Sequence, residues 1–128
     1  FAQVYDKRRK RILLFWKRNY PEKHIVQYGT IADFINATEK ELDLNAHNSS
    51  NNIPVIDSDI VSVKLSRSEH LYLLTEEGTL LIFDADTFCL ITVYTGNTPL
   101  KNISKMSPNQ VSTFLVTGKN EVIHCEIK

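Results

Sequence analysis

From residue 60 onward, apolar residues recur in short runs that are separated by turn-forming residues. The first three runs span residues 60–65, 69–75 and 79–84. They are rich in β-branched and aromatic residues and too short for stable helices, so the pattern predicts strands. Because a parallel crossover needs about a dozen residues, the short gaps between runs predict antiparallel hairpins. Further strands are predicted at residues 88–94, 102–106, 111–117 and 121–127.

Several of these strands are apolar at consecutive positions, most clearly at residues 80–83 and over much of residues 88–94. An antiparallel sheet with one solvated face alternates apolar and polar residues instead. The sheets of this chain are therefore expected to need cover on both faces. A blade of a β-propeller packs between two neighbouring blades and obtains that cover, whereas a β-sandwich, the alternative fold, covers only its inner faces.

The N-terminal part predicts strands at residues 2–6, 12–16 and 24–28, with a basic run, Lys7–Arg11, as the hairpin loop between the first two. Apolar residues at helical spacing, with Thr30 or Asp33 as a cap, predict a helix over residues 31–42. Residues 45–52 are polar and are expected to form a mobile loop. The apolar stripe of the helix either packs on its own domain or docks a partner protein. Its members are Ile31, Phe34, Ile35 and Leu42.

The motifs of residues 60–95 resemble a WD-repeat blade. In that family a second strand runs to an acidic-Gly turn and a third strand ends in Trp-Asp. Glu77-Gly78 stands at the turn, Phe83-Asp84 at the Trp-Asp position, and Gly96-Asn97 where Gly-His begins the next repeat. Residues 4–6, 14–16 and 24–28 are similar to the second, third and fourth strands of an earlier blade.

The chain departs from the family pattern at three points: Lys17 follows Trp16, the Gly-His histidine is absent, and Glu77 replaces the turn aspartate. The resemblance implies an all-β fold, a partial β-propeller of four-stranded antiparallel blades with one helical insertion. A closed propeller needs at least about four blades, so other blades of a longer chain, or a partner's blades, are expected to complete it. The implied organisation is a partial blade with a basic hairpin loop over 1–29, a helical or disordered insertion over 30–59, a blade over 60–95 and a further partial blade over 96–128.

Charge is unevenly distributed although the net charge is zero. Residues 1–23 carry eight basic and two acidic residues (8 − 2 = +6), and the remainder carries seven and thirteen (7 − 13 = −6). Such a cluster can neutralise nucleic-acid phosphates, bind an import receptor or remain a solvated loop. In WD-repeat propellers the corresponding loops emerge on one face, so the resemblance implies that the basic run and the helical insertion are neighbours. The candidate binding cations are Lys7, Arg8, Arg9, Lys10, Arg11, Lys17, Arg18 and Lys23.

Motifs for catalysis or cofactor binding are absent from the sequence. The four glycines are isolated and form no phosphate-binding loop. His124 and Cys125 are adjacent on a predicted strand, so they point to opposite faces and cannot share a metal. Cys125 is expected to be a buried apolar residue, and the three remaining histidines are expected in loops or on the surface. We expect no enzymatic activity, no cofactor, no metal and no small-molecule substrate.

The sequence therefore predicts a non-catalytic protein-interaction scaffold, a WD-repeat-like propeller segment within a multisubunit intracellular complex. Two unpaired cysteines and the lack of a signal-peptide pattern favour the nucleus or cytoplasm, and no apolar run is long enough for a membrane partner. The expected partners are other protein subunits. The alternative is an RNA- or DNA-binding module that uses the basic residues between positions 7 and 23.

Overall fold

The computed structural model describes residues 2–19, 22–48, 54–65, 69–94, 102–106, 112–116 and 122–126, with Tyr94 and the last three ranges described as backbone. The chain divides into two compact units, Phe1–Asp57 and Ser58–Lys128. In the described residues strands dominate, all of their pairings are antiparallel, and the two helices are short. The all-β class predicted from the sequence is confirmed.

The first unit is a four-stranded sheet in which the strands pair in chain order. Its core consists of apolar side chains from β2 and β3 together with Leu44 and Ile56, which lie beyond the sheet in sequence. The strands are β1 (Ala2–Asp6), β2 (Arg11–Asn19), β3 (Glu22–Gly29) and β4 (Lys40–Asp43); helix α1 (Ile31–Ile35) precedes β4 and helix α2 (Leu44–Asn48) follows it.

The predicted helix over residues 31–42 is wrong in its extent, because α1 ends at Ile35. Ala37 adopts a left-handed φ of 57°, which stops helical propagation. The backbone N–H of Thr38 then donates to the carbonyl of Asp33 over 2.8 Å. Downstream of this turn, Lys40–Asp43 pairs with residues 25–28 of β3 as an additional strand.

The start of α1 is fixed by a capping box. The backbone N–H of Asp33 donates to Thr30 Oγ1 over 3.1 Å, and the backbone N–H of Thr30 donates to Asp33 Oδ2 over 2.9 Å. Hydrogen bonds lower the pKa of Asp33, and the largest contribution comes from the Thr30 backbone N–H. The hydroxyls of Thr38 and Thr30 contribute less, and burial has a small opposing effect. Gly29 permits this close packing, since a Cβ there would lie 2.9 Å from the Asp33 Cβ.

Residues 44–48 form helix α2 where a mobile loop was predicted. The carboxylate of Asp43 accepts the backbone N–H groups of Asn45 and Ala46, which is the bonding of an N-terminal cap. The Asn45 side chain then bonds both the N–H and the carbonyl of Ile56, over 2.8 and 2.9 Å. These bonds hold residues 44–48 against a backbone segment that is distant in sequence. The composition of these residues alone predicts disorder. The rest of the predicted loop, residues 49–52, lies outside the described residues.

The second unit contains two sheets. The strands of the four-stranded sheet pair in chain order, and β10 lies at the centre of the three-stranded sheet. Within this unit the backbone of β9 approaches that of β5. Every predicted strand of this half is present, with ends that differ by no more than two residues. The strands are β5 (Ile60–Leu65), β6 (His70–Thr75), β7 (Leu80–Asp84), β8 (Leu90–Tyr94), β9 (Asn102–Met106), β10 (Ser112–Val116) and β11 (Val122–Glu126).

The two central strands of the four-stranded sheet in the second unit are covered on both faces. Residues 71–75 of β6 and 80–83 of β7 are all buried. Because neighbouring residues of a strand point to opposite faces, an unbroken buried run requires packing on each side. The edge strand β8 differs, since Ile91 and Val93 are 39% and 40% exposed. The predicted double-sided cover is therefore confirmed for β6 and β7 and wrong for β8.

Candidate interaction surface

The turn between β1 and β2, here called the basic turn, consists of Lys7–Lys10 and is built on the last residue of β1. Asp6 is buried, and its Oδ1 accepts the backbone N–H groups of Arg8 and Arg9 over 3.1 and 3.2 Å. Such bonding by an aspartate to the backbone two and three residues later is a local turn signal. Lys10 closes the turn with a left-handed φ of 52°. The predicted hairpin loop is confirmed except at Arg11, which is the first residue of β2.

Asp6 also binds the side chains of two residues of the basic run. Arg9 Nη1 donates to Asp6 Oδ2 over 3.0 Å, and Arg11 Nε lies 3.5 Å from the same oxygen. Burial alone would raise the pKa of Asp6. The hydrogen bonds from the Arg9 side chain and backbone, with the charges of Arg9 and Arg11, outweigh burial and lower the pKa of Asp6 below its usual value.

This ion-pair cluster divides the basic run into two kinds of cation. Arg9 and Arg11 are partly buried against Asp6, and Arg11 also lies over the Tyr28 ring, 5.2 Å from its centroid. Lys7, Arg8 and Lys10 are exposed. The prediction treated all five cations as one surface. The structure instead gives two of them a role in holding the hairpin.

The other three predicted cations lie at the opposite end of the first sheet. Lys17 and Arg18 are near the end of β2, and Lys23 pairs with Arg18 across to β3. At about 3.3 Å per residue, the six residues from Arg11 to Lys17 span about 20 Å. Arg18 is bound there by Glu41, with 2.9 Å between Nη2 and Oε1. The eight cations therefore do not form one continuous binding surface.

The basic turn and helix α1 are at the same end of the first sheet. Ile12 is the second residue after the turn and pairs with Gly29, which precedes the N-terminal cap of α1. This register agrees with the adjacency that the family resemblance implied.

The four apolar residues assigned to a docking helix do not share one helix. Leu42 lies on β4, where it pairs with Val26. Ile31 and Ile35 of α1 are 60% and 78% exposed, and Phe34 is half-buried. Of the predicted docking helix, the structure retains a short, capped helix with an exposed pair of isoleucines.

An open groove of about 290 Å³ lies along β1 and is lined by Gln3, Val4, Tyr5 and Ile12. Tyr5 and Ile12 are directly opposite each other on neighbouring strands. Tyr5 is 48% exposed. Tyr5 reaches the surface because it lies on the edge strand of the sheet. The groove ends at the basic turn.

His24 also differs from its prediction as a surface or loop residue. It lies on β3, is only 3% exposed and packs within the first sheet. In the described part of the chain no group of three or more His, Cys, Asp or Glu residues could hold a metal ion. Cys89 is exposed, whereas the predicted burial of Cys125 concerns a side chain outside those described. None of the described helices has the length and apolar character needed to cross a membrane.

Comparison with known proteins adds no family assignment. No protein-family model matches the chain, and a search of curated proteins finds no match.

Proposed function

We propose that this chain is a non-catalytic protein-interaction scaffold, a WD-repeat-like propeller segment that works within a multisubunit intracellular complex. The observation that carries the proposal is the burial of β6 and β7 on both faces. A four-stranded antiparallel sheet with double-sided cover at its centre suits a blade that packs between neighbours. The approach of β9 to β5 within the second unit supports the same arrangement, because successive blades would bring their first strands together.

The exposed features of the first unit support a role in binding other proteins. Ile31, Ile35 and Tyr5 are large apolar residues that the first unit leaves at its surface, and Lys7 and Lys10 are exposed beside Tyr5 in sequence. Apolar residues bordered by charge are typical of protein-binding surfaces. The sequence adds no motif for chemistry, so binding is the function that these residues support best.

Native co-purification tests the scaffold proposal. The protein would be tagged at its natural locus, purified under native conditions with and without nuclease, and analysed by size-exclusion chromatography with mass spectrometry. The expected result is co-elution with other proteins in constant stoichiometry, unchanged by nuclease. Elution of the protein alone in both preparations would contradict the proposal.

Nucleic-acid binding is the second candidate, and the exposure of Lys7, Arg8 and Lys10 favours it. The pairing of Arg9 and Arg11 with Asp6, and of Arg18 with Glu41, reduces the positive charge available for phosphates. In the same purification, this function predicts an assembly that nuclease disperses. Its affinity for a single-stranded oligonucleotide would fall steeply as salt rises.

A further inference from the structure

We propose that helix α1 and the basic turn together bind an acidic amphipathic helix of a partner protein. The inference rests on the proposed scaffold function and names the kind of partner that one of its surfaces accepts. Ile31 and Ile35 of α1 are 60% and 78% exposed. Lys7 and Lys10 are exposed on the basic turn. Apolar residues bordered by charge are typical of protein-binding surfaces.

The pairing of β2 with β3 makes the basic turn and α1 neighbours. Arg11, the first residue after the turn, lies over the ring of Tyr28 on β3, with 5.2 Å between its guanidinium carbon and the ring centroid. Tyr28 is three residues before the start of α1. Adjacent strands are about 4.8 Å apart, so about 10 Å separates β1 from β3 across β2. A helix is itself about 10 Å wide, so one helix can contact both segments.

Both segments lie where the proposed function places no other blade. The basic turn connects β1 to β2, and α1 lies between β3 and β4. Both therefore connect strands at one end of the sheet. Neighbouring blades of a propeller pack on the faces of a sheet, so they would leave this end accessible to a partner protein.

The isoleucines of α1 account for the apolar face of the partner helix. Ile31 and Ile35 are four residues apart, so they share one face of α1 and are separated by about 6 Å along its axis. Such a row forms a ridge that fits the groove between the corresponding rows of another helix. The capping box and the backbone bond from Thr38 to Asp33 already hold α1 in this conformation. Binding therefore does not have to order the helix.

The charges at this end of the sheet account for the acidic character of the partner helix. Residues 6–11 and 30–40 carry six cations and three acids, so this end is positive. Asp6 is bound by two arginines, and Asp33 accepts bonds from Thr30 and Thr38. Lys40 adds an exposed cation at the same end, because it pairs with Tyr28 at the start of β4. Glutamate or aspartate beside the apolar face of the partner complements these cations.

Fluorescence anisotropy with the full chain tests this inference. The probe is a labelled synthetic peptide of about 18 residues, because isolated helices shorter than about 12–15 residues are marginal in water. Leu recurs in it at helical spacing, and Glu and Ala occupy the other positions. One control has the same residues in an order that removes the helical spacing, and the other has Lys in place of Glu. We expect the probe to bind, and each control to bind at least about tenfold more weakly.

Two double variants locate the bound peptide. I31A/I35A removes the apolar ridge while retaining helix propensity, and K7E/K10E reverses the charge of the turn. Each is expected to lower the affinity for the probe about tenfold.

Matched controls change the same residue types elsewhere. Val61→Ala truncates an apolar side chain that is 52% exposed on β5. K23E/K64E reverses one lysine at the opposite end of the first sheet and one in the second unit. Both controls are expected to leave the affinity within about twofold. Circular dichroism of each variant verifies that the fold is retained.

Several outcomes would overturn the inference. These are no binding of the probe at low salt, equal binding of the reordered peptide, unchanged affinity of I31A/I35A, or an effect of K23E/K64E as large as that of K7E/K10E. Tighter binding of a single-stranded oligonucleotide, abolished by K7E/K10E and unaffected by I31A/I35A, would assign the turn to nucleic acid instead. Native co-purification is a separate measurement, so loss of the peptide site would leave the scaffold proposal standing, and a solitary native protein would refute the scaffold but not the peptide site.

Discussion

Asp6 determines how the most charged stretch of the chain is arranged. A run of five adjacent cations repels itself, and its sequence alone does not distinguish structural from surface charges. The buried carboxylate of Asp6 accepts two backbone N–H groups and pairs with Arg9 and Arg11. The spacing of an aspartate two and three residues before the bonded N–H groups is a recognisable turn signal, and it could have identified Asp6 from the sequence. Which arginines pair with Asp6 cannot be predicted without the register of the hairpin.

Replacing Asp6 by Asn is expected to destabilise the first unit. The variant loses the charge that compensates Arg9 and Arg11 while leaving those guanidinium groups partly buried, and removing one partner of such a cluster costs about 3 kcal/mol. Urea denaturation at neutral pH measures the change. Asp86→Asn, at an exposed turn position, is the control and is expected to change stability by less than about 0.5 kcal/mol.

The same residue predicts the direction of a pH effect. Because the folded-state pKa of Asp6 lies below the ordinary value of 3.8, its stabilising contribution is complete above that value and is lost as the pH falls through the folded pKa. The stability difference between wild type and Asp6→Asn should therefore shrink on acidification below that value. A difference that is constant, or that grows toward low pH, would contradict the assigned role.

At the scale of elements, the sequence predicts the described strands of the second unit. It does not predict two elements of the first unit, β4 and α2. Strand periodicity and turn residues identify β5 to β11, because apolar content and short gaps leave little alternative. Strand β4 reads Lys-Glu-Leu-Asp, and its charges suit an exposed helical face as well as a sheet edge. Helix α2 depends on the Asn45 bonds to Ile56, a contact across eleven residues that no local pattern contains.

The groove, likewise, could be predicted only in part from local sequence patterns. Its residues lie on adjacent strands. Tyr5 pairs with Ile12 because the turn contains four residues, whereas the predicted five-residue loop, Lys7–Arg11, would pair Tyr5 with Leu13. Whether Tyr5 faces core or solvent depends on the position of β1 at the edge of the sheet, which in turn depends on where β4 pairs. The candidate cations could be identified from the composition of the sequence. Predicting that they lie at two ends of the sheet would have required the lengths of the strands.

Alanine substitution on each face of β7 tests the double-sided cover. Leu81 and Ile82 are adjacent, point to opposite faces and are each 1% exposed. Leu81→Ala and Ile82→Ala are both expected to cost about 2–5 kcal/mol, because each opens a cavity in packed surroundings. Val93→Ala on β8, where the side chain is 40% exposed, is the control and is expected to cost less than about 1 kcal/mol. A loss of stability in only one of the two β7 variants would show that one face is uncovered.

At the scale of the whole molecule, the two units differ in what they contribute. The second unit, Ser58–Lys128, contains the strands that are buried on both faces. The first unit, Phe1–Asp57, contains the exposed isoleucines of α1, the groove at β1 and the basic turn. We therefore propose that the second unit is the framework and that the first unit binds partner proteins.

Hydrogen-exchange mass spectrometry of the full chain, alone and in its natively purified assembly, tests this division most directly. Stable strands exchange slowly in both states, whereas a binding surface gains protection on assembly. We expect β6 and β7 to exchange slowest in both samples, and the protection gained on assembly to fall on residues 2–10 and 31–35. Protection gained at β6 and β7 with none in the first unit, or exchange of β6 and β7 as fast as that of the basic turn, would contradict the account.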